Sequence, residues 1–181
     1  MDNSPLPTIR RATPADAAAL AEIGAATFVE AFAYLYAPED LAEFLQQSHS
    51  EAAHSRVLQD PGVAVWLAEH GGTPIGYAAA GNCKLPVPNL EDSAGEIRQL
   101  YVRAAFHKHK LGTKMLVTAL DWLVSRNRSP VYVGVWSQNY GAQRLYGRFG
   151  FEKIGEYDFL VGKQRDREFI LRRRAHGPRD S

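Results

Sequence analysis

The sequence predicts an α/β protein with a mixed, largely antiparallel sheet of six or seven strands and helices on both faces, and three stretches predict it. Glu96 to Leu120 reads as a strand, a short basic loop with a glycine, and a long helix. Val131 to Phe151 gives a second strand followed by a second helix. Between Val63 and Ala80, apolar residues alternate at Val63, Val65 and Leu67, and His70-Gly71-Gly72-Thr73 turns the chain into Ile75–Ala80, which is a hairpin pattern. With 181 residues the chain is expected to form one domain over 1–181 with a full core.

The remaining elements follow in order. Thr8-Ile9-Arg10-Arg11 reads as a short strand. Thr13-Pro14-Ala15-Asp16 starts a helix, with Thr13 as N-cap, proline at the first helical position and an acid near the positive end. Leu20, Ile23, Phe28, Ala31 and Phe32 supply its apolar face. A second start stands at Ala37-Pro38-Glu39-Asp40, sending Leu41, Phe44 and Leu45 inward, and Ser48-x-x-Glu51 predicts a third helix to about Gln59. Leu85 to Gly95 is the longest irregular insertion and a functional candidate by its place at a strand end. Phe151–Val161 and Arg167–Leu171 read as two strands around Gly162–Asp166. Residues 1–7 and 174–181 are expected as frayed tails, with Arg172 and Arg173 counted with the C-terminal end.

Composition excludes several classes. Hydrophobic residues make up 45% of the chain and charged ones 23%, which is globular. The net charge of +1, from 21 Lys+Arg against 20 Asp+Glu, provides no global field for nucleic acid. Cys83, the one cysteine, cannot form an internal disulfide and has no histidine placed beside it by sequence, so it reads as a small core residue. No signal-peptide pattern or apolar run of about 18 residues is read from the chain, and the expectation is a cytoplasmic protein without membrane attachment. His107 and His109 lack Cys or carboxylate partners at ligand spacing, so no metal is expected.

The chemistry gathers around Glu96–Leu120. A loop that leads into a helix start offers backbone N–H groups and the positive dipole end to an anion. In the strand, Ile97, Leu100 and Val102 slip by one residue from strict alternation, as a β-bulge requires. The loop Phe106-His107-Lys108-His109-Lys110-Leu111-Gly112-Thr113 is not a nucleoside-triphosphate loop, because Lys114 follows Thr113 without a preceding glycine pair. In the second unit, Asn139 stands at a helix start. Ala142, Leu145, Tyr146 and Phe149 follow at helical spacing, and Gly150 suits a left-handed cap.

These two units, in this order, resemble the GNAT superfamily of acyl-CoA N-acyltransferases. The strand ending Leu100-Tyr101-Val102, the loop, and the Asn139, Tyr146, Gly150-Phe151 pattern carry the resemblance. Within the family's Gln/Arg-x-x-Gly-x-Gly/Ala loop, His107 falls on the Gln/Arg position, Lys110 on the first glycine and Gly112 on the second. A left-handed Lys110 would cost about 1–2 kcal/mol, with its ammonium available to phosphate in return. The resemblance implies acetyl-CoA as cosubstrate, with the pyrophosphate on the backbone of Lys108, His109, Lys110, Leu111, Gly112 and Thr113, and pantetheine pairing along Leu100, Tyr101 and Val102. It implies a primary amine as acceptor, attacking directly in a ternary complex. Tyr146 is then the acid for the leaving thiolate and Glu96 the first candidate for a base.

Thr27-Phe28-Val29-Glu30-Ala31-Phe32 and Pro38-Glu39-Asp40-Leu41 are similar to the PaiA-type spermine/spermidine acetyltransferase branch. That likeness places Phe28, Phe32, Glu30 and Glu96 at the acceptor and makes Glu39, Asp40 and Glu43 attractors for a polycation. The competing readings are a non-enzymatic acyl-CoA binder or sensor, a ligand-free interaction domain, and a peptide N-terminal acetyltransferase. The chain is expected to act as a monomer or homodimer.

Overall fold

The computed structural model describes residues 6–174; residues 1–5 and 175–181 of the expected tails lie outside them. The seven strands are β1 (Thr8–Arg11), β2 (Val63–His70), β3 (Thr73–Asn82), β4 (Gly95–Val102), β5 (Val131–Trp136), β6 (Glu152–Val161) and β7 (Gln164–Arg173). Their order across one sheet is β1-β2-β3-β4-β5-β7-β6. Among the described strands only β4 and β5 pair in parallel. The helices are α1 (Ala17–Phe32), α2 (Pro38–Ser48), α3 (Glu51–Gln59), α4 (Leu111–Ser125) and α5 (Tyr140–Arg148).

Period-2 alternation sorts the strand residues onto two cores. Ala64, Trp66, Ala68, Ala78, Ala80, Ile97, Val131, Val133 and Val135 pack with Met115, Leu116, Ala119 and Leu123 of α4. Val63, Val65, Leu67, Tyr77 and Ala79 face the other way, onto Leu20 and Ile23 of α1. Alanines in β3 keep both helices close to the sheet, and burial of each larger aliphatic side chain contributes about 1.5–3 kcal/mol. The β2–β3 turn is made by Gly71 at φ 57° and Gly72 at φ 80°, the left-handed pair that a two-residue hairpin demands.

The expected bulge is present. Ala79 pairs with Gln99 and Ala80 with Ile97, leaving Arg98 as the extra residue, so Ile97, Leu100 and Val102 share the α4 face. The parallel pairing of β4 with β5 covers only Gly95, Glu96 and Ile97, opposite Val131, Tyr132 and Val133. Past the bulge the two strands part.

Several boundaries differ from the sequence expectation. Ser48 ends α2, and Ser50 is the cap of α3, its hydroxyl oxygen accepting from Ala53 N–H at 3.2 Å. A 3₁₀ turn, Pro14–Asp16, precedes α1, and Asp16 ties back to the Thr13 N–H at 2.7 Å. The β6–β7 connection is the two-residue turn Gly162-Lys163, not Gly162–Asp166, because Leu160 and Arg165 already pair. Arg172 and Arg173 are not tail residues: they pair with Tyr132 and Val131 of β5. The stretch Pro14–Leu35 is long and apolar enough to cross a membrane by length and composition, contrary to the apolar-run reading. In the fold Leu20 and Ile23 on that stretch are buried against the sheet.

Candidate active site

Where β4 and β5 part, two cavities open and a narrow passage lies between them. The larger cavity, about 470 Å³, runs along Leu100, Tyr101 and Val102, past Asn139 and Tyr146, to Lys110, Gly112 and Thr113. The second, about 290 Å³, is an aromatic chamber on the α1/α2 face of the sheet. The passage, about 70 Å³, is bounded by the splayed segments of β4 and β5. β4 spends one edge on β3, and beyond Ile97 its other edge makes no ladder with β5. That edge is free to hydrogen-bond an extended ligand.

The larger cavity ends at the N-terminus of α4. The loop expected at Phe106–Thr113 is a 3₁₀ turn, Ala104–His109, followed by Lys110 at φ 53°, ψ 20°, in the left-handed region. Among the described residues no side chain caps α4, which leaves its first-turn N–H groups without a side-chain partner. His107 Nε2 donates to the carbonyl oxygen of Val102 at 2.7 Å, tying the turn to the strand. A Cβ on Gly112 would meet nothing nearer than Leu145 Cδ2 at 4.0 Å. The fold itself does not require glycine there; the room belongs to the cavity.

Asn139 is the N-cap of α5, its Oδ1 accepting from Ala142 N–H at 3.0 Å, and it lines both the larger cavity and the passage. Tyr146 follows on the buried side of α5, edge-on to Phe151, and lines the same two spaces. Burial, helped by Tyr101 and Glu168, holds its phenol well above its usual pKa, so it stays protonated. Gly150 at φ 80° ends the helix as expected.

The aromatic chamber is walled by Phe28 and Phe32 of α1, Tyr36, and Phe44 of α2. Its floor carries three carboxylates: Glu96, Asp166 and Glu168. Glu96 is only 8% exposed, so it is not a solvated strand-end residue. Its Oε2 accepts from Lys84 N–H at 2.7 Å, and burial raises its pKa against that hydrogen bond. Glu168 accepts from the Tyr157 hydroxyl at 2.5 Å. Burial again raises its pKa, with Asp166 adding and the Tyr157 hydrogen bond opposing. Asp166 accepts from the Tyr36 hydroxyl.

The acidic residues of the first helices do not supply this charge. Glu30 lines the larger cavity, where its carboxylate accepts from Ala104 N–H at 3.2 Å and pairs with Arg103 at 3.5 Å. Glu30 is held there because it lies on the α1 turn facing the 3₁₀ segment. Asp40 packs against Gly162 of the β6–β7 turn, and Glu43 accepts from Gln47 at 3.0 Å. Asp166, Glu168, Tyr157 and Trp136 went unread in the sequence. Moving the β6–β7 turn to its true place would have shown Asp166 and Glu168 on one face, and Gly134 inside a central strand signalled a close approach. Cys83 is half-buried and its thiol is pushed up to about 11, chiefly by burial, which removes it as a nucleophile.

The acetyltransferase (GNAT) family model matches residues 27–151. The chain belongs to the GNAT acetyltransferase family. An uncharacterized N-acetyltransferase of Mycobacterium tuberculosis (strain H37Rv) is 32% identical over 160 residues, covering 86% of this GNAT chain and 96% of the relative. Another, from Lactobacillus delbrueckii subsp. lactis, is 25% identical over 81% of this chain and 85% of its own. In fold, the protein is similar to the PaiA N-acetyltransferase of Thermoplasma acidophilum in complex with coenzyme A, at TM-score 0.73 and 17% identity, with 94% of this chain and 99% of that one covered. It is also similar to the ribosomal-protein-alanine N-acetyltransferase of Brucella melitensis, at TM-score 0.66 and 21% identity, with 92% and 99% covered. This GNAT chain is thus an N-acetyltransferase, which sets aside the non-enzymatic binder and the ligand-free domain.

Proposed function

We propose that the protein transfers an acetyl group from acetyl-CoA to the primary amine of a small acceptor carrying more than one positive charge. The observation that carries this reading is the parting of β4 and β5, which leaves a free backbone edge between two cavities of opposite character. On the larger side, Leu100–Val102 offer N–H and C=O groups to pantetheine, and the open N–H groups from Lys110 to Thr113 suit a pyrophosphate. Coenzyme A in the similar PaiA structure supports the same cosubstrate here. On the other side, aromatic rings and three carboxylates suit a cation with apolar stretches.

The chemistry follows from these placements. An ammonium must lose a proton to a chamber carboxylate before its nitrogen can attack. The thioester carbonyl lies in this reading against the free edge of β4, whose N–H groups favour charge developing on its oxygen. Tyr146, protonated and beside the passage, hands its proton to the departing thiolate. Glu96, anchored by Lys84 N–H, offers the acceptor a fixed carboxyl group.

The test is thermal unfolding with CoA, followed by release of free thiol from acetyl-CoA over a panel of amines. CoA at a hundredfold excess over Kd should stabilise the fold by about 2.7 kcal/mol. An unchanged midpoint at millimolar CoA rejects the cofactor assignment. Transfer to peptide N-termini in preference to every small amine rejects the acceptor.

A further inference from the structure

Gly134 stands inside β5, where a glycine gives up side-chain packing and conformational entropy. A Cβ there would come within 2.6 Å of the Tyr157 hydroxyl oxygen and 3.1 Å of Glu168 Oε2. The bare strand is what lets the Tyr157–Glu168 pair lie flat on the sheet, with the hydroxyl donating to that same Oε2. Among the described residues no side chain or N–H donates to Oε1 of Glu168.

Two carboxylates compete for the role of base. Glu96 lines the aromatic chamber and not the passage, and one of its oxygens is held by Lys84 N–H. Glu168 lines both spaces, so it stands where acceptor nitrogen and thioester must meet, in the same passage as Tyr146. We propose that Glu168 is the general base of the transfer, with Tyr157 as its positioning residue and Gly134 making room for the pair. The assignment rests on the acetyltransferase reading above.

The proton balance closes with groups on the page. Glu168 takes one proton from the ammonium and passes it to solvent through the chamber. The freed nitrogen pair forms the C–N bond as the carbonyl π pair moves onto oxygen. On collapse of that intermediate the C–S bond breaks, and the thiolate takes the Tyr146 proton. The second nitrogen proton returns to the Tyr146 oxygen, leaving the amide and free thiol.

Other groups around Glu168 set its titration. Asp166 on its own strand opposes ionisation, and Tyr157 on β6 favours it. Tyr36, Tyr101 of β4 and Tyr146 of α5 feel its charge as phenols held protonated. Glu96 and Arg98 of β4 face the same chamber with opposite signs, and Arg98 spends its guanidinium on the carbonyl of Asn82 at 2.7 Å.

The experiment is the pH profile of kcat/KM at saturating acetyl-CoA, with 1,4-diaminobutane or the best amine of the panel, for wild type, Glu168→Gln, Glu96→Gln and Tyr157→Phe. Glu168→Gln should lower kcat by about 10²–10⁴-fold and erase the acid limb, with CoA affinity within about twofold of wild type. Glu96→Gln should keep the acid limb whatever it does to KM. Tyr157→Phe should move that limb to higher pH, because it removes the hydrogen bond holding the carboxylate's pKa down; it carries the test alone if Glu168→Gln does not fold. The proposal is overturned if Glu168→Gln keeps a wild-type limb, if Glu96→Gln is the variant that erases it, or if Tyr157→Phe leaves it in place. A wild-type enzyme that binds acetyl-CoA and acetylates no amine overturns the acetyltransferase reading, and this base with it.

Discussion

The carbonyl oxygen of Val102 accepts a hydrogen bond from His107 Nε2 at 2.7 Å, so the last residue of β4 is clamped to the turn that leads into α4. One contact thereby links the strand edge proposed for pantetheine to the helix start proposed for pyrophosphate. His107→Ala should cost about 0.5–1.5 kcal/mol of stability by urea unfolding. It should also weaken CoA several-fold by calorimetry, and an unchanged Kd would confine His107 to the fold.

Lys110 and Gly112 should respond in opposite ways. Lys110 is left-handed at φ 53°, so Lys110→Gly should relieve about 1 kcal/mol of strain and raise the melting temperature by about 2–4 °C. Gly112 faces open space, so Gly112→Val should change the melting temperature little yet weaken CoA by tenfold or more. If Gly112→Val binds CoA better than Lys110→Gly does, the pyrophosphate does not lie at this helix start.

Tyr146→Phe keeps the ring that packs on Phe151 and deletes only the hydroxyl. Folding should survive, and kcat should fall by about 10²–10⁴-fold. Unchanged turnover would return Tyr146 to a packing role.

His49 and His54 are buried with ring centres 5.6 Å apart, and among the described residues neither His49 Nδ1 nor His54 Nε2 has a hydrogen-bond partner. Burial, helped by His54, pushes the His49 pKa down to about 4. The unfolded chain takes its proton near the ordinary 6.5 and the folded one does not, so stability should be full above that pH. It should fall as pH drops from about 6.5 to about 4, by on the order of 1–3 kcal/mol. Urea unfolding of wild type against His49→Phe across that window measures it; parallel curves would mean that His49 titrates normally in the fold.

If the aromatic chamber takes the acceptor as proposed, polycations should be preferred in a salt-dependent way. Glu96, Asp166 and Glu168 sit in a partly enclosed space, where Coulomb attraction exceeds that in open water. A diamine or longer polyamine should show higher kcat/KM than a neutral-tailed amine of equal length. The advantage should shrink between low and physiological ionic strength, as screening sets in over about 8–10 Å. Equal kcat/KM for the two amines would reject a second cation site.

The sequence alone determined the parts that short-range physics controls. The Ile97/Leu100 phase slip marked the bulge, because side chains must return to one face within three residues. The start of α4 at Leu111 and the Gly71-Gly72 turn each depend on a few neighbouring residues. Motif order carried the family, since Asn139 and Tyr146 sit on one helix whose cap and period are local. Only the tertiary structure decided which carboxylates share the chamber. Glu30, Glu39, Asp40 and Glu43 stand on the helices nearest the cleft in sequence, yet Asp40 pins the β6–β7 turn and Glu30 serves the 3₁₀ segment. Glu96, Asp166 and Glu168 come together because β4 parts from β5 and β7 pairs on β5's far side, which aligns residues about seventy positions apart on one sheet face. Convergence of that kind depends on strand order and register, and neither is encoded within any single stretch of this chain.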